Sequence, residues 1–493
     1  MPGSTPSAAV SQNEGLIRPY KDLRDWLGIV GEMGELKIVH GADPDLEIAA
    51  ITELVRLEST EKPALLFDQV KGYPPGYRVL TGIINTIRRL ALMTNMPVEE
   101  NVEIFVRRWK DRLKELRPIP PRYVQDGPIL ENIKADGAID LRQFPTPIWH
   151  ERDGGRYIGT ASVTITTDPK REWVNLGTYR NMIHDSDVVG FYASPGKHGR
   201  IHREMFWREG KACPVVVTFG QDPVLFHAAS SFDVPSGASE LELAGAIKGE
   251  RIEVIRGEVT GLPIPVHAEI AIEGECPADE RVQEGPFGEF TGYYASGARP
   301  EPIIRVKRLY YRNDPIITGC PPARPPAEST FARSPLKSAA VWNVLEKTGL
   351  TGLRGVCMHP VGATYFFTVV SIKQAYAGHA KQAGTLAASV RGAGYMARFV
   401  IVVDEDIDPF KLEDVLWALG TRCHPDRDID ILKRTWSGPL DPMIPAGAPN
   451  HGSVAVIDAT KPWEWKEEFP PAITFDEGFM RETRQKWAKL LGL

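Results

Sequence analysis

Tyr157-Ile-Gly-Thr-Ala-Ser-Val-Thr-Ile-Thr166 is the first of several strand-like segments in the middle of this 493-residue chain. Its β-branched residues and its alternation favour a pleated, partly buried surface. Such segments recur between proline-rich breaks at 118–121 and 321–326, with short helical patterns at Arg200–Trp207 and Ser239–Lys248 between them. The pattern predicts a mostly antiparallel sheet or barrel. The other strand-like segments are Val215–Thr218, Ile252–Ile255 and Val266–Ile272.

Amphipathic patterns precede this β-rich region. Apolar residues at helical spacing predict helices near Leu23–Val30, Leu46–Leu57 and Val98–Leu116. Ala64–Phe67 is strand-like, so the N-terminal part is predicted to be an α/β unit. Met1 to about Gly15 is small and polar, without a basic start or an apolar core, and is expected to be a disordered lead-in and not a signal peptide.

Beyond the second proline-rich break, strand and helix patterns alternate. This alternation favours a parallel or mixed sheet with crossover helices. The last segment, Glu477–Leu493, reads as a charged helix whose apolar Phe479, Trp487, Leu490 and Leu491 need a partner, which we expect to be a second subunit. The alternating segments are Thr364–Ile372, Gly378–Arg391, Phe399–Asp404 and Phe410–Leu419.

A chain of 493 residues exceeds what one hydrophobic core usually supports. We therefore predict a mixed α+β and α/β multidomain protein. The predicted divisions are a disordered tail at 1–15, an N-terminal α/β domain at 16–125, a central domain at 126–325, a C-terminal α/β domain at 326–475 and a C-terminal helix at 476–493.

The composition argues against nucleic acids and membranes as binding partners. The formal net charge is -6, and Lys and Arg are spread along the chain, so no basic block predicts a nucleic-acid or anionic-membrane surface. No apolar run approaches the roughly 18 residues that span a bilayer. Five cysteines without a C-x-x-C pair argue against a disulfide framework and a structural zinc site. These features predict a cytoplasmic protein with a small-molecule partner.

Glu284-Gly-Pro-Phe-Gly-Glu289 places two carboxylates on a segment that cannot be a regular helix. If a cation pairs with one acid, that acid stays ionised while the other can keep a proton near neutral pH. Arg180 is the natural counter-ion. The alternatives are a surface turn with two solvated acids and an ordinary surface arginine.

A second candidate site involves Asn175, His198 and Glu240. An amide oxygen, an imidazole and a carboxylate suit Mn²⁺, Mg²⁺ or Fe²⁺ better than a metal that seeks thiolates. The alternatives are a solvated loop histidine and a favourable first-turn acid at Glu240. No phosphate-loop or dinucleotide fingerprint is present. From the residues alone, the chain reads as an α/β plus β enzyme with a candidate metal site and an acid pair.

Six motifs occur in the order expected of one family. Between about Asp22 and Lys461 the chain resembles the UbiD family, decarboxylases that use prenylated FMN. The motifs are Asn175-Leu-Gly-Thr-Tyr-Arg180, Pro195-Gly-Lys-His198, Ser239-Glu-Leu-Glu-Leu-Ala-Gly245, Glu284-Gly-Pro-Phe-Gly-Glu289 with Thr291-Gly-Tyr-Tyr294, Tyr376-Ala-Gly-His-Ala-Lys381 and Phe399-Val-Ile-Val-Val-Asp404.

The resemblance implies a central split-barrel flavin-binding domain, flanked by the N-terminal α/β unit and a C-terminal α/β oligomerisation domain. It implies that Asn175, His198 and Glu240 bind a divalent ion, typically Mn²⁺, that bridges to the cofactor phosphate. A potassium ion beside it would be held at Ala229, Ser230 and Phe232, with Glu240 shared. The implied cofactor contacts are Asn175, Thr178, Tyr179, Arg180, Lys197, His198, Ser230, Glu240, Lys381 and Arg398.

Arg180, Glu284 and Glu289 resemble the catalytic Glu-Arg-Glu group of the family. The resemblance implies reversible, non-oxidative decarboxylation of an aromatic, heteroaromatic or α,β-unsaturated acid through a covalent adduct with prenylated FMN. Glu289 would then protonate the carbon left behind, so its pKa should be raised, while Arg180 keeps Glu284 ionised. A flavin prenyltransferase would supply the cofactor, and the assembly would be a homo-dimer or hexamer.

One stretch departs from the family. Many members carry an acidic Pro-Pro-Asp-Glu-like stretch where this chain has Thr318-Gly-Cys-Pro-Pro-Ala-Arg-Pro-Pro326. Its arginine, Arg324, indicates either a substrate with a second anionic group or a simple linker variant. The predicted pocket walls are Tyr293, Phe331 and the Thr435–Leu440 loop.

Two other functions remain open from the sequence. An ordinary FMN reductase on a split barrel would not need Arg180, Glu284 and Glu289 together. A non-catalytic assembly subunit would be expected to have lost metal ligands or acids, and all six positions are intact in this sequence.

Overall fold

A computed structural model describes residues 17–232, 234–294, 297–445 and 447–492 of the chain. The predicted disordered tail at 1–15 lies outside these residues. The mixed α/β multidomain architecture predicted from the sequence is confirmed, with four sheets distributed along the chain. Among the described residues, no helix combines the length and the apolar character needed to cross a membrane.

The helices and strands are numbered separately in chain order. The helices are α1 Leu23–Glu32, α2 Glu47–Glu58, α3 Ile87–Met93, α4 Val102–Glu115, α5 His198–Arg208, α6 Pro223–Ser231, α7 Glu240–Lys248, α8 Glu328–Lys347, α9 His379–Ser389, α10 Leu412–Arg422 and α11 Glu477–Leu491. The strands are β1 Leu36–His40, β2 Ala64–Asp68, β3 Arg78–Thr81, β4 Arg122–Tyr123, β5 Asn132–Ala135, β6 Tyr157–Gly159, β7 Val163–Thr167, β8 Val174–Gly177, β9 Asn181–Asp185, β10 Val188–Gly190, β11 Cys213–Phe219, β12 Glu253–Arg256, β13 Pro263–Pro265, β14 Ile270–Cys276, β15 Arg281–Glu284, β16 Arg299–Tyr311, β17 Ile316–Gly319, β18 Leu353–Met358, β19 Phe367–Ile372, β20 Phe399–Asp404, β21 Ile429–Trp436 and β22 His451–Ala459.

The N-terminal unit is a four-stranded sheet with strand order β1-β2-β3-β17. Helix α1 begins at Asp22, whose side chain accepts a hydrogen bond from the backbone N–H of Asp25, and it buries Leu23, Trp26 and Val30. Strand β17 follows the central sheet in sequence but pairs in parallel with β3. This strand closes the N-terminal sheet and starts the link that leads to α8.

The central region is a curled half-barrel sheet. Its main path is β6-β9-β10-β16-β14-β11-β7-β8, with β5 and β15 also on β16. Neighbouring strands along this path are antiparallel, as the sequence predicts. A small third sheet has the order β13-β12-β4, and β4 brings residues 122–123 into contact with the central region.

Two strands predicted in the central region differ from the structure, and the predicted strand Thr364–Ile372 begins only at Phe367. The predicted strand Tyr157–Thr166 is divided into β6 and β7, which pair with different strands, and Gly159 ends β6. The chain turns and resumes as β7 on a different neighbour, β8. The predicted strand Val266–Ile272 begins only at Ile270, because the backbone turns first, with the N–H of Ala268 bonded to the carbonyl of Pro265.

The C-terminal sheet has the order β18-β19-β20-β22-β21. It is mixed, with parallel β19, β20 and β22 and antiparallel edge strands, in agreement with the predicted alternation. Helix α11 forms where the sequence predicts a helix, and its Phe479, Trp487 and Leu490 are exposed. The predicted packing of this helix on a second subunit stays a prediction, and Leu493 lies outside the described residues.

Candidate active site

Arg180 bridges the two acids of the 284–289 segment. It lies between β8 and β9, and its Nε and Nη2 atoms donate to the two oxygens of Glu284 at 2.9 and 3.0 Å. Its Nη1 atom donates to Glu289 Oε1 at 2.8 Å. The Glu284 side chain is only 1% exposed. The segment is therefore not a solvated surface turn, and one guanidinium holds both carboxylates.

The local backbone explains why both acids face the same cation. Glu284 is the last residue of β15, and Gly285 then takes a φ of 91°, which a side chain would strain. The approach is close: a Cβ added at Gly154 would lie 2.0 Å from the carbonyl oxygen of Gly285. Glu289 is held in the return turn, where its N–H donates to the carbonyl of Tyr293 at 2.9 Å.

The two acids have different protonation behaviour. Burial raises the pKa of Glu289 to about 7; the neighbouring Glu284 adds to this effect and Arg180 opposes it. Burial alone would lower the pKa of Arg180, but the two carboxylates more than offset it and raise that pKa. Glu289 can therefore carry or release a proton near neutral pH beside a permanent cation.

Three aromatic neighbours of this group were not identified from the sequence. Tyr157 donates its hydroxyl proton to Glu284 Oε1 at 2.8 Å, and Phe287 packs 3.9 Å from the Tyr157 ring centroid. The Tyr192 ring lies 4.4 Å from Arg180 Cζ. The sequence around each of these aromatic residues carries no local signal for such contacts.

Asn175, His198 and Glu240 converge from three elements. Asn175 is on β8, His198 opens α5, and the His198 Nδ1 atom lies 3.2 Å from Asn175 Oδ1. Glu240 opens α7, and its Oε2 accepts the N–H of Leu176, the next residue after Asn175, at 2.8 Å. Asn175 and Glu240 are both buried.

This set fits a divalent cation. The amide nitrogen of Asn175 is buried without a hydrogen-bond partner, and exchanging the amide O and N would present the oxygen outward. Burial raises the pKa of Glu240 to about 7, and among the described residues no cationic side chain pairs with it. A bound cation would be coordinated by the Asn175 amide and would offset the unfavourable burial of the Glu240 carboxylate. Burial, with Lys197 and Arg391, lowers the pKa of His198, which keeps its imidazole available as a ligand.

The remaining residues predicted to contact a cofactor or potassium surround this set. The hydroxyl of Tyr179 accepts the N–H of Gly199 at 2.9 Å and is buried. Lys197 is exposed immediately before α5, and Ser230 lies in the last turn of α6, which packs on α7. Half-buried positions are found at Thr178, Ala229, Ser230 and Phe232.

Two predicted cofactor contacts lie in the C-terminal region with partners of their own. The 64% exposed Lys381 pairs with Asp430 at 2.9 Å. Arg398 donates to both oxygens of Asp441 at 2.6 and 2.7 Å. No contact between described residues joins either cation to the Arg180 or Asn175 groups. Arg391, a cation of the C-terminal region, contributes to the lowered pKa of His198. It lies in a glycine-rich link, and the sequence did not indicate that it would be near the metal-binding set.

An aromatic row extends from the acid pair into the C-terminal region. Phe290 directly follows Glu289, and successive ring centroids from Phe290 through Tyr365 and Tyr395 to Trp436 lie 5.6, 5.8 and 4.8 Å apart. Trp436 belongs to the predicted 435–440 wall. Of the other predicted walls, Tyr293 is 63% exposed and Phe331 packs on the core.

Three consecutive parts of the chain match domain profiles of one family. Residues 27–109, 122–325 and 330–459 match the N-terminal, Rift-related and C-terminal domains of 3-octaprenyl-4-hydroxybenzoate carboxy-lyase, UbiD. The pyrrole-2-carboxylic acid decarboxylase of Pseudomonas aeruginosa is 30% identical in an alignment 492 positions long, which covers 96% of this chain and 98% of that protein. A phenolic acid decarboxylase of Bacillus subtilis is 32% identical over 448 residues, 90% of this chain and 93% of that protein.

Solved structures agree with these matches. The vanillic acid decarboxylase of Sedimentibacter hydroxybenzoicus in its open form superposes with a TM-score of 0.84 at 29% identity, over 97% of this chain and 100% of that chain. HmfF, a UbiD-class enzyme of Pelotomaculum thermopropionicum solved with FMN, gives a TM-score of 0.82 at 28% identity, over 94% of this chain and 98% of that chain. An evolved dimeric form of that enzyme was solved with prenylated FMN. It gives a TM-score of 0.79 at 28% identity and covers 93% of this chain and 98% of that chain.

Proposed function

This chain belongs to the UbiD family of carboxy-lyases, and from that premise we propose that it is a reversible, non-oxidative decarboxylase of an aromatic, heteroaromatic or α,β-unsaturated carboxylic acid. The observation that carries the proposal is the arrangement of Arg180 between buried Glu284 and Glu289, with the pKa of Glu289 raised to about 7. The names of the relatives, which act on pyrrole-2-carboxylic, phenolic and vanillic acids, support an aromatic substrate.

Prenylated FMN is the proposed cofactor, and structures of a UbiD-class relative with FMN and with prenylated FMN support it. When bound, it supplies an electron sink for the pair left behind as carbon dioxide departs. Asn175, His198 and Glu240 would hold Mn²⁺ beside the cofactor phosphate, and Ala229, Ser230 and Phe232 would hold K⁺. The buried, unpaired carboxylate of Glu240 supports the cation site.

The chain's own residues manage the proton. Glu289 in its neutral form holds a proton on its carboxyl group, which it gives to the substrate carbon after the carboxylate has left, and it takes that proton back in the carboxylation direction. Arg180 donates two hydrogen bonds to Glu284, and Tyr157 donates a third to the same carboxylate. The two acids can therefore have separate tasks although they share one cation.

We also propose roles for the central and C-terminal domains, an oligomeric assembly and a cellular location. The central half-barrel is the flavin-binding split barrel, and the C-terminal domain with α11 forms a homo-oligomer, a dimer or a hexamer. Exposed Phe479, Trp487 and Leu490 on α11 support a subunit contact. The enzyme acts in the cytoplasm, where a flavin prenyltransferase supplies its cofactor.

The proposal is tested by co-expression with a flavin prenyltransferase and measurement of carbon dioxide release from a panel of aromatic and acrylic acids. We expect turnover by the wild-type enzyme and a loss of at least about 100-fold in Glu289→Gln. Glu280→Gln is a matched control, because Glu280 forms its ion pair with surface Arg305 and not with the acid pair or Arg180. Full carbon dioxide release by Glu289→Gln would contradict the proton-transfer role of Glu289, whereas flavin reduction without carbon dioxide release by wild type would favour the FMN reductase. A protein that co-purifies with neither modified flavin nor metal would contradict the proposal.

A further inference from the structure

A second arginine lies beside the aromatic row next to Glu289. Arg333 is on the second turn of α8, with its Cζ 5.5 Å from the ring centroid of Phe290 and 5.7 Å from that of Tyr365. The two rings meet edge to face at 5.6 Å. Since Phe290 directly follows Glu289, Arg333 faces the region where a substrate held near Glu289 would extend.

Arg333 has no anionic partner among the residues that the structure describes. Its guanidinium makes no hydrogen bond or ion pair there, and its Nε atom is buried without an acceptor. By contrast, Arg180 and Arg398 each donate at least two hydrogen bonds to carboxylates. A partly buried cation without a counter-ion is unfavourable, so an anion brought from outside would be stabilised strongly.

The groups packed around Arg333 do not offset its charge. Burial lowers the pKa of His227 on α6 to about 3, and Arg333 adds to this effect, so that imidazole is neutral. Burial raises the pKa of the Cys320 thiol, which is therefore neutral as well. The acid at the start of α8, Glu328, is engaged with the N–H of Ile84 at 3.0 Å. Lys337, one turn further along α8, is a basic residue that lies 5.5 Å from the Tyr365 ring.

The proline-rich departure from the family holds this arrangement in place. A Cβ added at Gly288 would lie 3.6 Å from Pro322, and one added at Gly292 would lie 2.9 Å from Arg324 Cα. The turn that carries Glu289 therefore packs on the 322–325 stretch that leads into α8. The side chain of Arg324 itself is exposed. The arginine with the surroundings of an anion site is Arg333, not the one the sequence suggested.

Resting on the proposed function, we infer that Arg333 binds a second carboxylate of the substrate, which makes the substrate class an aromatic or heteroaromatic dicarboxylic acid. The planar guanidinium matches a carboxylate with two parallel hydrogen bonds, and the Phe290 and Tyr365 rings pack on the ring that joins the two acid groups. The bond between the ring carbon and the other carboxylate breaks, and its electron pair remains with the ring carbon. That carbon takes up the proton from Glu289, carbon dioxide leaves, and a monocarboxylic acid is released.

The test compares matched acids on the cofactor-loaded enzyme. The ratio of kcat/KM values for benzene-1,3- and benzene-1,4-dicarboxylic acid over benzoic acid, and for pyridine- and pyrrole-dicarboxylic acids over their monoacids, is measured for wild type, Arg333→Met and Arg333→Lys. We expect at least one diacid to be preferred by wild type. Arg333→Met should reduce that preference about 10- to 100-fold, mainly through KM, and Arg333→Lys should reduce it less. Arg354→Met, which removes an exposed arginine from β18, is the control.

A binding measurement separates this inference from the proposed function. Dissociation constants of the same acids are measured by calorimetry on the three proteins, together with their thermal midpoints to confirm folding. A diacid that binds at least tenfold more tightly than its monoacid, and loses this advantage in Arg333→Met, supports the inference even if no acid on the panel is decarboxylated. Preference for monoacids by wild type, or equal losses for both acids in Arg333→Met and Arg333→Lys, would overturn it while leaving decarboxylation intact.

Discussion

Replacing Glu289 by Gln should stabilise the fold at alkaline pH while it abolishes turnover. The pKa of Glu289 is raised from 4.5 to about 7, mainly by burial. A carboxyl whose pKa is higher in the folded state binds more protons there than in the unfolded state between these two values, so the free energy of unfolding falls as pH rises through them. At about 1.4 kcal/mol per pKa unit, this loss is about 3 kcal/mol by pH 8. A neutral glutamine does not undergo it.

The assay is urea unfolding of wild type and Glu289→Gln at pH 5.5 and pH 8.0, with the transition followed by tryptophan fluorescence and circular dichroism. We expect the variant to gain stability relative to wild type by about 2 kcal/mol between the two pH values, because part of the loss has already occurred at pH 5.5. Glu280→Gln, on the surface of the same region, should show no such gain. A difference between variant and wild type that is the same at both pH values, or a variant less stable at pH 8.0 than at pH 5.5 relative to wild type, would refute the reasoning.

Three further predictions concern the groups around the acid pair and the cation site. Tyr157→Phe removes a 2.8 Å hydrogen bond to a buried carboxylate and should lower the free energy of unfolding by about 1.5 to 3 kcal/mol, measured by urea unfolding against the half-buried Tyr73→Phe. Gly154→Ala should reduce turnover at least tenfold, because its methyl group would lie 2.0 Å from the carbonyl oxygen of Gly285 and displace the acid-bearing segment, whereas Gly137→Ala has open space and should be unaffected in the same decarboxylation assay. His198→Ala should lower the manganese content of purified enzyme at least tenfold by elemental analysis; retention of a full equivalent would place the ion elsewhere.

The parts of this protein that are controlled by local chemistry could be predicted from the sequence. Helices α1 and α7 begin at the capping residues Asp22 and Ser239, and their apolar spacing specifies the buried face. Charge complementarity also indicated Arg180 as partner of the 284–289 acids, although only the family resemblance selected it among many arginines. Local pattern was sufficient for the helices, and the pairing of Arg180 also needed the family resemblance.

Contacts between distant strands could not be predicted in this way. Tyr157 on β6 reaches Glu284 at the end of β15, 127 residues further along the chain, and nothing in its own segment indicates a carboxylate partner. The break after Gly159 coincides with a change of partner strand, from β9 for β6 to β8 for β7, which the segment itself does not indicate. Arg333 reads as an ordinary helical arginine until the fold places Phe290 and Tyr365 against it. These features depend on tertiary packing, which overrides local preference.

The pairing of β3 with β17 determines the order in which the sheets can form during translation. The N-terminal sheet cannot be finished until the entire central sheet has been synthesised, because its fourth strand is encoded after it. During that interval β3 presents an unsatisfied edge that invites pairing with other nascent chains. Rapid translation of residues 82–315 would shorten the time for which the β3 edge is exposed. A chaperone that covers this edge until Ile316–Gly319 emerges would have the same effect.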